Sequence, residues 1–77
     1  MIKDKKINYS LEIGKRIKDL RTIKGWSQEQ LSFESQLHRT YIGSVERGER
    51  NITLINLKKI TDALNISPAE FFKPFNK

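Results

Sequence analysis

The sequence contains no cysteine and only one histidine, His38. Disulfide bridges and the Cys/His ligand sets of structural zinc sites are therefore excluded. No uninterrupted run of apolar residues is longer than two, so a membrane-spanning helix is not expected. The N-terminal stretch MIKDKKINYS is charged and lacks the apolar core of a signal peptide. These absences favour a soluble cytoplasmic protein that folds without metal or disulfides.

The 77 residues are enough for one small domain, whose core is marginal unless association adds to it. The net charge of +6 is unevenly distributed: residues 1–26 carry eight Lys/Arg against three Asp/Glu (+5), residues 27–50 three against four (−1), and residues 51–77 four against two (+2). A basic chain favours an acidic polymer such as nucleic acid as its partner. Small basic proteins without such a partner are also common, so charge alone leaves both possibilities open.

Apolar spacing and capping residues predict five short helices and no strand, which makes the fold all-α. The predicted N-caps, in chain order, are Ser10, Ser27, His38, Thr53 and Ser67. The residues predicted to end the helices are Gly25, Gln36, Gly48, Asn65 and Pro74. Gln30 and Glu70 stand where the partner side chain of a capping box is expected, and Ile66 and Phe71 have the spacing of a hydrophobic staple.

Helices one and four show apolar stripes at helical spacing. In helix one the inward positions are Ile13, Ile17 and Leu20, together with the stem of Lys24. In helix four they are Leu54, Leu57, Ile60, Thr61 and Leu64.

The third helix, predicted over roughly residues 38–46 of the stretch HRTYIGSVERGERN, has an unusually broad polar face. At 100° per residue, Ile42, Val45 and Glu46 fall on one side. The opposite side holds Arg39, Thr40, Gly43, Ser44 and Arg47. A merely solvated face more often carries Lys and Glu at i,i+4 spacing. Arginines at the ends with small residues between them favour a partner that approaches the helix backbone closely.

Helices two and three are separated by about three residues, 36–38, which is typical of a helix-turn-helix. The stretches GWSQEQLS, RTYIGSVERG and TLINLKKITDALNISP resemble the second, third, and fourth and fifth helices of the Cro/C1 repressor-type helix-turn-helix family. Within that family, HRTYIGSVERGERN and the short aromatic C-terminus are most similar to the controller proteins of restriction–modification systems. The resemblance implies a five-helix, lambda-repressor-like DNA-binding domain over residues 1–77, with a basic arm at 1–9 and a dimerisation region at about 52–77.

Two positions depart from the family pattern. Ser32 stands where the family usually has alanine, between helices two and three. Gln36 stands where the family often has glycine, because the residue there adopts a positive φ. Glutamine at that position is expected to cost about 1 kcal/mol relative to glycine.

The polar face and the resemblance together imply nine DNA-binding residues: Gln28, Arg39, Thr40, Tyr41, Gly43, Ser44, Arg47, Arg50 and Asn51. Arg39 has the reach for a bidentate contact with guanine, and a positive charge at a helix start otherwise has little reason to be there. Gln28 is expected at a phosphate. Gly43 is explained either by close approach of DNA or by tight helix packing. Tyr41 is expected to pack its ring on the core, to offer its hydroxyl to a phosphate, or to do both.

Two further sets of residues have other roles. The resemblance pairs Arg21 with Glu46 as a structural ion pair between helices one and three. Three phenylalanines within five residues exceed what one short helix buries in a small monomer, so they favour an interface. The predicted dimer interface consists of Ile55, Phe71, Phe72 and Phe75. The alternative is a C-terminus that wraps its own core.

No arrangement of Ser, His and carboxylates suggests an activated nucleophile, so neither an enzyme nor a cofactor is predicted. The leading hypothesis is a dimeric, sequence-specific transcriptional regulator that binds a pseudo-palindromic operator, with RNA polymerase as a further partner. The alternatives are a stand-alone phage-type repressor and an antitoxin-type protein-interaction module, which would be purified in an obligate complex. A helix bundle lying on an anionic membrane is disfavoured because no helix combines bulky apolar and Lys-rich faces.

Overall fold

The computed structural model describes residues 7–75, which form five α-helices and a final 3₁₀ turn. The elements are α1 (Tyr9–Ile23), α2 (Gln28–Ser35), α3 (Arg39–Glu46), α4 (Leu54–Leu64), α5 (Pro68–Phe72) and the turn Lys73–Phe75. No strand occurs within these residues, and the all-α prediction is confirmed. Most of the predicted arm 1–9, and residues 76–77 of the predicted dimerisation region, lie outside the described residues.

Three of the helices begin at the predicted caps. The hydroxyls of Ser27, Thr53 and Ser67 each accept a hydrogen bond from the backbone N–H three residues later, at 3.0 Å in all three cases. This contact satisfies one of the N–H groups that a helix start leaves without an intrahelical partner. At the other ends of α2 and α4, Gln36 (φ 61°) and Asn65 (φ 60°) adopt the left-handed conformation.

Of the other two predicted N-caps, Ser10 is wrong and His38 is confirmed in position only. The N-cap of α1 is Asn8, whose side chain accepts from Leu11 N at 3.1 Å. Ser10 lies inside that helix and donates to Asn51 Oδ1 at 2.6 Å. His38 occupies the N-cap position of α3 but its side chain makes no capping hydrogen bond. The second half of each predicted capping box is also missing within the described residues: the Gln30 amide donates to Glu34, and Glu70 accepts no hydrogen bond from the backbone N–H of Ser67.

The core is formed by side chains from all five helices. Its buried members are Ile17, Leu31, Ile42, Val45, Leu57, Ile60, Leu64 and Phe71. Leu54, predicted to face inward, is 83% exposed, because it lies in the first turn of α4 and about 70° from the centre of that helix's buried stripe. Lys24 is also exposed, and its ammonium lies 5.0 Å from the centre of the Trp26 ring.

Two contacts of α1 position the rest of the molecule. At Gly14, α1 approaches the end of α3 so closely that a Cβ atom there would lie 2.3 Å from the carbonyl oxygen of Val45. Two residues later, Arg16 donates from Nε to the Phe71 carbonyl at 2.8 Å and from Nη2 to the Glu70 carbonyl at 2.9 Å. The first helix therefore supports both α3 and α5.

Candidate nucleic-acid interface

The turn between α2 and α3 is held to α2 by two hydrogen bonds between Ser32 and Leu37. Leu37 N donates to the Ser32 carbonyl at 3.2 Å, and the Ser32 hydroxyl donates back to the Leu37 carbonyl. Gln36 takes the left-handed conformation in this turn. The serine that replaces the usual alanine thus adds a contact to the same turn in which glutamine replaces the usual glycine.

The third helix packs one face into the core and leaves the other in solvent. Ile42 and Val45 are at most 1% exposed, whereas Arg39 and Thr40 are exposed at the start of the helix. Ser44 is half-buried and its hydroxyl donates to the Tyr41 carbonyl at 2.9 Å. The helix is therefore fixed from behind while its first turn remains accessible.

A chain of hydrogen bonds runs from α1 through Glu46 to the first residue of α3. Arg21 donates to both Glu46 carboxylate oxygens, from Nε at 2.8 Å and from Nη2 at 2.9 Å. Gln28 Nε2 donates to the same carboxylate at 2.9 Å, and Arg39 Nη1 donates to Gln28 Oε1 at 3.0 Å. The hydrogen bond and the charge of Glu46 raise the pKa of Arg21 against the opposing effect of burial. The family resemblance indicated the ion pair but not that Gln28 connects it to Arg39.

Gly43 lies beneath the ends of two flexible side chains. A Cβ atom at this position would lie 3.3 Å from Arg47 Nη1 and 3.5 Å from Gln28 Oε1. The space above the α3 backbone is thus covered by polar groups that have rotatable stems. DNA that approaches Gly43 closely must displace these groups or bind them.

Tyr41 is held between α3 and α4. Its hydroxyl oxygen accepts from Asn56 Nδ2 at 3.0 Å, and the Arg50 guanidinium lies 5.2 Å from the centre of its ring. Tyr41 also packs against the core, which agrees with the expectation that its ring is part of the packing. Asn56 did not stand out in the sequence, because its contact depends on how α4 lies against α3.

Arg47 and Glu49 form an exposed ion pair after the end of α3. Arg47 Nε lies 3.0 Å from Glu49 Oε2, and each side chain is more than half exposed. Their mutual hydrogen bond raises the pKa of Arg47 and lowers the pKa of Glu49. Because both groups are in water, this pair has little effect on stability and leaves the guanidinium within reach of a phosphate.

Eight of the nine predicted DNA-binding residues are brought together. Gln28 accepts from Arg39, and its side chain and that of Arg47 both lie over Gly43; the residues that line one shallow hollow beside α3 include Thr40, Tyr41, Ser44 and Arg50. Asn51 differs, because its Oδ1 accepts from Ser10 and ties the loop to α1.

Within residues 7–75 no cluster of His and carboxylate side chains suits a metal ion, and no helix has the length and apolar character to cross a membrane.

The predicted dimer interface is only partly on the surface. Ile55 is 71% and Phe72 37% exposed, and Phe75 is half-buried. Phe71 is 0% exposed, so naming it as an interface residue was wrong. Its ring fills the core beneath α5, and the Arg16 guanidinium lies 5.9 Å from the ring centre.

Comparisons with known proteins find the same fold and similar sequences. Residues 17–71 match the helix-turn-helix family. The control protein C.BamHI of Bacillus amyloliquefaciens is 45% identical over 64 residues, which are 82% of this chain and 79% of that protein. The restriction–modification controller protein C.AhdI from Aeromonas hydrophila is 48% identical with a TM-score of 0.82, over 86% of this chain and 100% of C.AhdI. The controller protein C.Esp1396I, solved as a tetramer in complex with its natural 35 base-pair operator, is 36% identical with a TM-score of 0.82, over 91% of each chain.

Proposed function

This chain belongs to the Cro/C1-type helix-turn-helix family, and on that premise we propose that it is a controller protein of a restriction–modification system. It is a sequence-specific transcriptional regulator that acts as a homodimer in the cytoplasm and controls its own gene and an endonuclease gene. Its activity is binding and not catalysis, and RNA polymerase is a further partner. The observation that carries the proposal is the similarity to controller proteins over nearly the whole chain, including α3 and the turn before it.

The geometry of α3 supports a role as the recognition helix. Its core-facing side is fixed by Ile42 and Val45, so its first turn can enter a major groove without disturbing the fold. Arg39 then reaches the O6 and N7 atoms of a guanine in bidentate fashion, and Thr40 contacts a neighbouring base edge. Gln28 Nε2 uses one of its two N–H groups on Glu46, and the second can donate to a phosphate at the start of α2.

Basic side chains that follow α3 supply affinity that does not depend on sequence. Arg47 and Arg50 follow the helix and are exposed, and in this proposal they contact the DNA backbone on one side of the groove. Such phosphate contacts account for much of the binding free energy and make it fall with salt concentration. In a dimer, two copies of α3 read half-sites separated by about 34–36 Å, one turn of DNA.

The proposal is tested by selecting duplexes from a random pool with the purified protein and footprinting the best binder. We expect a pseudo-palindromic sequence whose two protected half-sites are about one helical turn apart. The DNA fragment upstream of the protein's own gene should contain a similar sequence. Recovery of duplexes with no shared sequence, bound no better than the starting pool, would contradict the proposal.

A further inference from the structure

The hydrogen bond between Asn56 and Tyr41 determines how the Tyr41 hydroxyl can interact. Asn56 Nδ2 donates to the phenol oxygen at 3.0 Å, from the first turn of α4 to the middle of α3. An amide nitrogen has only donors, so the hydroxyl acts as the acceptor in this contact. The proton of the hydroxyl must then point toward some other acceptor.

Within residues 7–75, the Tyr41 hydroxyl donates that proton to no other residue. Arg50, whose guanidinium lies over the ring, has only donors. The Ser44 hydroxyl on the same helix donates to the Tyr41 carbonyl and makes no hydrogen bond with the Tyr41 hydroxyl. Across the described part of the chain, the contact from Asn56 is the only hydrogen bond that the Tyr41 hydroxyl makes. The O–H group therefore faces the open hollow between α3 and α4.

We propose that Asn56 is a positioning residue that sets the Tyr41 hydroxyl as a hydrogen-bond donor to operator DNA. The proposal rests on the function proposed above and deepens it. The group that Tyr41 recognises is an acceptor: a phosphate oxygen, or N7, O6 or O4 on a base edge in the major groove. Because Asn56 and Arg50 already hold the side chain in place, its ordering costs less when the complex forms.

The replacement Asn56→Asp reverses the direction of this hydrogen bond. A carboxylate has nearly the same shape as the amide but only accepts, so the Tyr41 hydroxyl would donate to it and no longer to DNA. The fold should tolerate the change, since a negative charge in the first turn of α4 is favoured by the helix dipole. Thermal unfolding of the variant verifies this.

A carboxylate near DNA also repels phosphates. This repulsion is separated from the loss of the hydrogen bond by making the same Asn56 change in a Tyr41→Phe background. The affinity for the selected operator is measured for the parent, Tyr41→Phe, Asn56→Asp and the double variant. In the Tyr41→Phe background there is no hydroxyl, so Asn56→Asp can weaken binding only through its charge. We expect Asn56→Asp to weaken binding about 3- to 10-fold more in the Tyr41 background than in the Tyr41→Phe background, the ratio that one neutral hydrogen bond supplies. Asn56→Ala in the same two backgrounds adds no charge and should also cost more when the hydroxyl is present.

The two possible acceptors are distinguished by repeating the measurements on a random-sequence duplex. Equal weakening by Tyr41→Phe on both duplexes identifies a phosphate, and weakening on the selected operator alone identifies a base edge. If the effects of both Asn56 variants are the same with and without the hydroxyl, the positioning role is refuted while the function as a DNA-binding regulator stands. A parent protein that prefers no selected duplex would overturn the proposed function and this inference together.

Discussion

Arg39 stands at the start of α3, where the helix dipole disfavours a positive charge, and its guanidinium contacts Gln28. Because the side chain is exposed, Arg39→Ala should leave the melting temperature almost unchanged. We expect it to weaken operator binding by about 1–3 kcal/mol and to relax the preference at one base pair. Titration of the selected operator and of its single-base variants provides the measurement.

Lys59→Ala is a matched control for that experiment. It removes one positive charge from the exposed side of α4, in a hollow shared with Glu34 and Asp62. This variant should weaken binding slightly and equally on all duplexes. If Arg39→Ala behaves in the same way, with equal losses on selected and random DNA, then Arg39 contacts only phosphate.

Arg21 compensates the charge of a carboxylate that is almost completely buried. The side chain of Glu46 is only 3% exposed, and that of Arg21 is 11% exposed. Arg21→Ala leaves the carboxylate with Gln28 as its remaining side-chain donor, and we expect the free energy of unfolding to fall by up to about 3 kcal/mol. Urea melts of Arg21→Ala, Glu46→Gln and the double variant should show that the two effects are not additive. A variant that melts like the parent but loses operator affinity would instead assign Arg21 to the binding surface.

Sequence reasoning found most of the residues of the candidate site but not their mutual contacts. Arg39 was indicated by the polar face and the resemblance, and Tyr41 lies on the flank of that face. Their partners Gln28 and Asn56 lie 11 and 15 residues away along the chain. Such pairs form only because of the angle and depth at which helices pack, and no local pattern encodes these quantities.

At the level of the helices, local chemistry was sufficient where a second signal accompanied the candidate cap. Ser27 is followed by Gln30, and Ser67 by Pro68 and Glu70, which are residues favoured in the first turn of a helix. At α1, Asn8 and Ser10 are both good N-caps and only two residues apart, so spacing could not decide between them. The exposure of Leu54 was missed for a related reason: the edge of a buried stripe depends on what packs against it.

Gly14 sets the distance between α1 and α3. A methyl group at this position would overlap the Val45 carbonyl, which is backbone and cannot rotate away. Although alanine is favoured over glycine inside a helix, we expect Gly14→Ala to lower the free energy of unfolding by about 1–3 kcal/mol through overpacking. Circular-dichroism melts provide the comparison.

Gly43→Ala is the control within α3. Its methyl group would meet only the ends of the Arg47 and Gln28 side chains, which can move. This variant should keep or slightly raise the stability, by up to about 1 kcal/mol, while operator affinity falls if DNA approaches the backbone there. An unchanged melting temperature for Gly14→Ala would contradict the first prediction, because it would show that α1 and α3 can move apart without a loss of stability.

For the molecule as a whole, the exposed apolar residues of α4 and α5 predict self-association. Ile55 and Phe72 lie on the surface, and the rings of Phe72 and Phe75 are 5.6 Å apart. A two-fold axis would bring each such patch against its own copy. Phe72→Ala combined with Ile55→Ala should give a folded monomer with much weaker operator binding in sedimentation and titration experiments. A variant that is still dimeric at low micromolar concentration would rule out this surface as the interface.

The contact of Arg16 with α5 bears on the order in which parts of the chain unfold. Its two hydrogen bonds join Arg16 to residues that lie 54 and 55 positions later in the chain. The helix α5 itself has five residues, of which only Phe71 is buried. Short elements with little buried surface open locally at a lower free energy than the rest of a fold. The amide hydrogens of α5 should therefore exchange with solvent faster than those of α1 and the second half of α3. Since Phe72 belongs to α5, pairing of two copies would slow this exchange, and the rate would report how much of the protein is paired at a given concentration.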